Sequence, residues 1–156
     1  VEQGVATDYD RMLDELQREI AEREEELYSA VVLREARRPR NVGAIPDADL
    51  HGVVHGWCGD TVEIFIRVNG GTIEEATFVT DGCGATLACG SMLTQMVTGM
   101  RLEEAEWVLP EDLIEALDGL PQESMHCAGL AVSTLQNALF NWRVDQMEEI
   151  DGQEGA

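Results

Sequence analysis

The chain has 156 residues, the length of one ordinary domain, and carries 31 Asp and Glu against 10 cations, all of them Arg, for a formal charge of −21. That balance argues against a general nucleic-acid binder, which needs cationic surface to displace counterions from phosphates, and against a surface that holds anionic lipid. No apolar run approaches the roughly 20 residues that span a bilayer. The start, VEQGVATDYDRML, also lacks the charged beginning and apolar core of a signal peptide. The expectation is a soluble, cytoplasmic, single-domain protein. Its acidity has two readings: solubility through self-repulsion, or a salty interior whose ions screen the charge.

The first 30 residues hold ten acids and three Arg. Tyr9, Leu13, Leu16, Ile20, Leu27 and Ala30 fall at alternating four- and three-residue steps, with Arg23 in the one gap. This spacing predicts an amphipathic helix that lies on the domain's own surface or docks on a partner. A helix from Leu27 to Arg37 follows, closed by the turn-forming stretch 38–43. Four of the ten Arg sit between Arg34 and Arg40, either balancing nearby carboxylates or forming a docking patch.

Residues 50–57 read as a short strand. Val62, Ile64, Ile66 and Val68 alternate with Glu63, Phe65 and Arg67 in a second. Asn69-Gly70-Gly71 supplies a hairpin turn, and Ile73 to Thr80 returns as the third strand of a small antiparallel sheet. From about Ala85 the pattern turns helical until Gly99. Pro110 opens another helix that Gly119 closes, and a last long helix runs from about Cys127 to Met147.

Cys58, Cys83, Cys89 and Cys127 are separated by 24, 5 and 37 residues, with no CxxC pair, so a zinc ribbon or thioredoxin-type site is not indicated. Cytosolic thiols stay reduced, and a chain of this size needs no disulfide. Cys58 precedes Gly59-Asp60 at a strand corner, and Cys83 lies between Gly82 and Gly84. Cys127 follows His126 at a helix start, where free N–H groups favour a thiolate. Thiolate, imidazole and carboxylate in this pattern suit a soft-metal site holding zinc or iron. Cys89 falls six positions after Cys83 in the following helix, where it packs inside or modulates the site.

At these residues the chain resembles the IscU/NifU-type family of iron–sulfur cluster assembly scaffolds. The resemblance runs through RRPRNVG (37–43), CGD (58–60), VNGGTIEEATFVTDGCGAT (68–86), SMLTQMVTGMRLEEA (91–105) and HCAGLA (126–131), in family order. It implies an α+β fold, a three-stranded antiparallel sheet with helices packed on one face, plus an extra N-terminal amphipathic helix. The division is an acidic extension (1–26), a scaffold domain (27–147) and an acidic tail (148–156).

The resemblance further implies a scaffold rather than a turnover enzyme. Such a scaffold takes persulfide sulfur from a cysteine desulfurase, binds iron, builds a labile 2Fe–2S cluster and passes it to apo iron–sulfur proteins. A ferredoxin and an iron-donor protein are further implied partners, and zinc is an implied occupant of the isolated protein. Cys58, Cys83 and Cys127 take the places of the scaffold cysteines, with Asp60 or His126 as the weaker fourth ligand and Cys127 as persulfide acceptor.

The alternative is a zinc-dependent sulfurtransferase of the SufU kind. The 43 residues between Cys83 and Cys127, and His126 itself, fit the IscU type better. Two departures stand out. Leu120-Pro121-Gln122-Glu123-Ser124 lacks the motif that a dedicated Hsp70 reads, so an Hsp70-type chaperone is not an implied partner. Cys89 stands where the family carries Ser or another small residue, which makes it an alternative ligand.

Overall fold

The computed structural model describes residues 7–154. The first six residues of the acidic extension and the last two of the tail lie outside the described residues.

The expected sheet forms. Strands β1 (Leu50–His55), β2 (Thr61–Asn69) and β3 (Thr72–Thr80) pair antiparallel in the order β1-β2-β3. Leu50 faces Ile66, Val54 faces Val62, and Ile64 faces Phe78, so one sheet face is continuously apolar. Val62, Ile64, Ile66, Ile73, Ala76 and Phe78 on that face are buried, whereas His51, Val53 and Arg67 point to water. The period-2 alternation in the sequence is this two-sidedness.

Helices α3 (Gly84–Val97) and α6 (Met125–Glu154) cover the apolar face. α6 passes so close to β1 that a Cβ on Gly52 would stand 2.5 Å from the Thr134 carbonyl oxygen and 2.6 Å from the Ala138 nitrogen. Only glycine fits there, and that fit sets the height of α6 above the sheet. The long helix begins two residues before Cys127, after a 3₁₀ turn at Gln122–Ser124, and runs past Met147 into the acidic tail. α5 (Pro110–Ala116) has its proline at the first turn, as expected, and a short α4 (Leu102–Ala105) precedes it.

Two differences mark the N-terminal region. Both expected helices form, as α1 (Asp8–Leu27) and α2 (Ala30–Arg37), but the second starts at Ala30 rather than at Leu27. Ser29 breaks them: its hydroxyl accepts the Val32 N–H at 3.1 Å and donates to the Leu117 carbonyl at 2.5 Å, an N-cap that also ties α2 to the core. Thr7 and Asp10 form a capping box at the start of α1. The helix carries the predicted apolar stripe but buries none of it, and Tyr9, Met12, Leu16, Ile20 and Leu27 stay exposed. Of the two packing readings, the domain's own surface does not receive the stripe among the described residues.

Three of the four clustered arginines are engaged. Arg34 pairs with Glu35, Arg37 with Glu24 at 4.0 Å, and Arg40 donates to Gln95. Glu35 is itself buried, and its carboxylate accepts from Ser91 Oγ at 2.6 Å and Gln95 Nε2 at 2.9 Å, which clamps α2 onto α3. Burial alone would push this carboxyl up. The hydrogen bonds from Ser91, Gln95 and Arg34 outweigh it and hold Glu35 below its ordinary 4.5.

Removing residues 1–27 should shift the thermal midpoint by less than about 2 °C, because α1 buries no side chain. A fall of more than about 5 °C in a melting scan would show α1 to be part of the fold. Glu35→Gln should cost about 1–3 kcal/mol at neutral pH, since an amide donor then faces donors. Because the folded pKa is lowered, the Glu35 contribution is complete above 4.5 and is lost as pH falls through the folded value. Urea melts of the two chains should therefore converge on acidification.

Candidate metal centre

Antiparallel pairing puts the start of β2 beside the end of β3, and hydrogen bonds fix the two loops there. Asp81 accepts the Thr61 N–H at 2.7 Å, and the Thr80 hydroxyl donates to the Thr61 carbonyl at 2.7 Å while accepting the Gly82 N–H at 3.0 Å. The loop bearing Cys58 and Asp60 is a tight turn closed by Gly59 N–H to the Gly56 carbonyl, with Gly59 at φ +92°. Cys83 is the N-cap residue of α3. α6 then brings His126 and Cys127 over the same end of the sheet.

One residue that the sequence reading did not single out joins these groups. Thr86, buried in the first turn of α3, places its hydroxyl oxygen 3.2 Å from Asp60 Oδ2, 3.4 Å from Cys127 Sγ and 3.6 Å from Cys83 Sγ. The only sequence signal for it is its position three residues after Cys83, which returns it to the same helix end. His126 Nε2 lies 3.7 Å from Cys127 Sγ, and its ring packs on the exposed Trp57 with centroids 5.1 Å apart.

The four thiols are free and differ sharply in setting. Cys58 and Cys83 are exposed. Partial shielding raises the Cys83 thiol, but the Thr86 N–H and hydroxyl and the Ala85 N–H outweigh it, so the thiol lies below its ordinary value; Asp60 opposes this. These N–H groups face the sulfur without closing a cap hydrogen bond of ordinary geometry.

Cys127 is 1 % exposed, and burial pushes its thiol up to about 11, with Cys83 and Cys58 adding to the rise and Thr86 opposing it. Burial thus opposes the thiolate that the helix start would favour at Cys127. Cys89 is wholly buried among the apolar side chains of the core, and burial drives its thiol far above the ordinary range.

Cys58, Asp60, Cys83, His126 and Cys127 thus share one end of the sheet, and Cys89 lies beneath it in the core. Among the described residues, no three His, Cys, Asp or Glu side chains stand close enough together to hold a metal ion as they are. The donor chemistry fits iron or zinc, while the arrangement is open.

Fold and site together define a small α+β protein that gathers soft ligands at the open end of a three-stranded sheet. Residues 27–149 match the NifU-like N terminal domain. The chain is 40% identical over 130 residues to "Iron-sulfur cluster assembly scaffold protein IscU 1" of Archaeoglobus fulgidus, covering 80% of this chain and 85% of that protein. It is 36% identical over 121 residues to "Iron-sulfur cluster assembly scaffold protein IscU" of Escherichia coli, covering 74% and 94%. The crystal structure of the N-terminal part of a NifU-like protein from Brucella abortus superposes with a TM-score of 0.59 at 16% identity, over 80% of this chain and 96% of that one, a likeness of fold. The chain belongs to the IscU/NifU-type family. No described helix is long and apolar enough to cross a membrane.

Cys89→Ala should leave metal and cluster binding unchanged, with a loss of about 1 kcal/mol in stability for a small buried group. Loss of the bound metal, measured by elemental analysis and visible absorption, would make Cys89 a ligand.

Proposed function

We propose that this protein is an iron–sulfur cluster assembly scaffold that receives sulfur from a cysteine desulfurase, binds iron, builds a labile 2Fe–2S cluster and hands it to apo-proteins. The observation that carries this reading is the meeting of three free thiols, a carboxylate and an imidazole at one open sheet end, in a chain whose curated relatives are named for that role. Such a protein is a carrier rather than a turnover enzyme. The same donor set would also hold zinc in the isolated protein.

Sulfur transfer needs an accessible thiolate. The scaffold thiolate attacks the terminal sulfur of the desulfurase persulfide, an S–S bond forms to the scaffold, and the desulfurase cysteine leaves as thiolate. Exposure and the hydrogen bonds at the α3 start support Cys83 as the first acceptor, ahead of the buried Cys127 that the sequence favoured. Cys127 enters as a ligand once the metal takes its proton's place. Reducing each captured sulfur to sulfide takes two electrons, which a ferredoxin-class partner would supply. An iron-donor protein would supply the metal. Asp60 and His126 provide harder, weaker bonds than thiolate, which suits a site that must release what it builds.

Anaerobic reconstitution with a cysteine desulfurase, cysteine and ferrous iron tests the whole reading. The expected product has 2Fe–2S absorption and Mössbauer spectra and transfers to an apo-ferredoxin. Before iron is added, mass spectrometry after alkylation should find the persulfide on Cys83. It should vanish in Cys83→Ser and survive in Cys127→Ser, which forms no cluster. Persulfide on Cys127 in the Cys83→Ser chain would return the acceptor role to Cys127. Desulfurase turnover stimulated by the zinc form without any cluster would replace the scaffold by a zinc-dependent sulfurtransferase.

A further inference from the structure

Thr86 differs from the other helical threonines whose hydroxyls are bonded. The Thr94 hydroxyl donates to the Gly90 carbonyl at 2.8 Å and Thr134 to Leu130 at 2.8 Å, the ordinary return of a helical threonine to the carbonyl four residues back, and Thr98 at the end of α3 does the same to Thr94 at 2.6 Å. Thr86 stands in the first turn of α3, where the residue four back, Gly82, precedes the helix, and its hydroxyl makes no such bond among the described residues. Its hydroxyl is turned instead onto Asp60 and the sulfurs of Cys127 and Cys83.

A hydroxyl has one proton to donate. Its 3.2 Å approach to Asp60 exceeds the usual length of a dedicated O–H···O bond, as a donor shared between acceptors gives. The surroundings leave room for this sharing. A Cβ on Gly82 would stand 2.8 Å from both Asp60 Oδ2 and the Thr86 Cβ, so glycine there lets the carboxylate and the threonine meet. Thr86 itself is 1 % exposed, which keeps water from substituting for its hydroxyl.

We propose that Thr86 is a positioning residue for the metal site. By sharing one proton between Asp60, on the β1–β2 corner, and Cys127, on α6, its hydroxyl holds ligands from two separate elements at a set distance before metal arrives. This rests on the reading of Asp60 and Cys127 as ligands. Three elements then meet through one hydrogen-bond donor, and the site is oriented although no three ligands yet surround a metal. Outer partners of this kind act on metal binding by fixing the direction of the ligands. The methyl group of Thr86 contributes packing that valine reproduces, so the hydroxyl's role is separable from its shape.

The test is an anaerobic Co(II) titration of the full chain, read by thiolate-to-cobalt charge-transfer and ligand-field absorption. Melting scans confirm that each variant is folded. Thr86→Val should weaken Co(II) binding by about tenfold or more, the range found for partners of metal ligands, and shift the ligand-field bands. Thr86→Ser should restore both. In an Asp60→Ala background the loss caused by Thr86→Val should shrink, because one of the two held ligands is gone. Unchanged affinity and spectrum in Thr86→Val would overturn the proposal, as would Thr86→Ser behaving like Thr86→Val. The titration uses neither iron nor sulfur donor. A chain that passes it yet assembles no cluster upholds Thr86 and removes the scaffold reading alone.

Discussion

The pairing of β2 with β3 is the constraint on which the site depends. Thr61 and Asp81 are held together at the end of that ladder, so the Cys58 and Cys83 loops emerge side by side although 24 residues separate the cysteines. The register is in turn dictated by burial. Moving β3 by one residue would turn Ile73, Ala76 and Phe78 outward and expose an apolar face that α3 and α6 now cover. Gly52 completes the arrangement by letting α6 settle against β1, which brings Cys127 over the same end. The chemistry is thus placed by the core, and no ligand loop has to fold independently.

Within that frame the thiols form a gradient from solvent to core. Cys58 and Cys83 are open, Cys127 is covered but lies beside Thr86 and His126, and Cys89 is embedded among apolar side chains. Each step inward makes the thiolate costlier, and the neighbouring thiols add to that cost at Cys127. A neighbouring thiolate therefore opposes ionisation of Cys127. A cation changes the balance, because its charge offsets what the sulfurs impose on one another.

Much of this was legible in the sequence. Alternation in 61–68, the Asn69-Gly70-Gly71 turn and Pro110 at a helix start each reflect a local rule that the fold obeys. The glycine-flanked cysteines marked the site because bulk-free turns leave a sulfur accessible. The rest depended on tertiary facts. Ser29 caps α2 by a local rule, but its tie to the core exists only because Leu117 lies opposite to receive its proton. Cys127 stands at a helix start as expected, yet whether the dipole or desolvation prevails is decided by what α6 packs against. Thr86 carries no motif of its own, and its hydroxyl gains meaning only when Asp60 and Cys127 arrive from elsewhere in the chain.

The overall charge bears on the same balance. A chain at −21 sets up a field that draws cations such as ferrous iron and opposes additional anions, thiolates included. The Cys83 thiol is nevertheless lowered, by N–H and O–H donors rather than by an arginine. Three of the clustered arginines are already committed to Glu35, Glu24 and Gln95. Dipoles at the start of α3 therefore stabilise a sulfur anion locally without placing a fixed positive charge in the path of an entering metal. A cationic residue at that point would lower the thiol further but repel any metal cation that approached it. Neutral donors are the arrangement compatible with both demands.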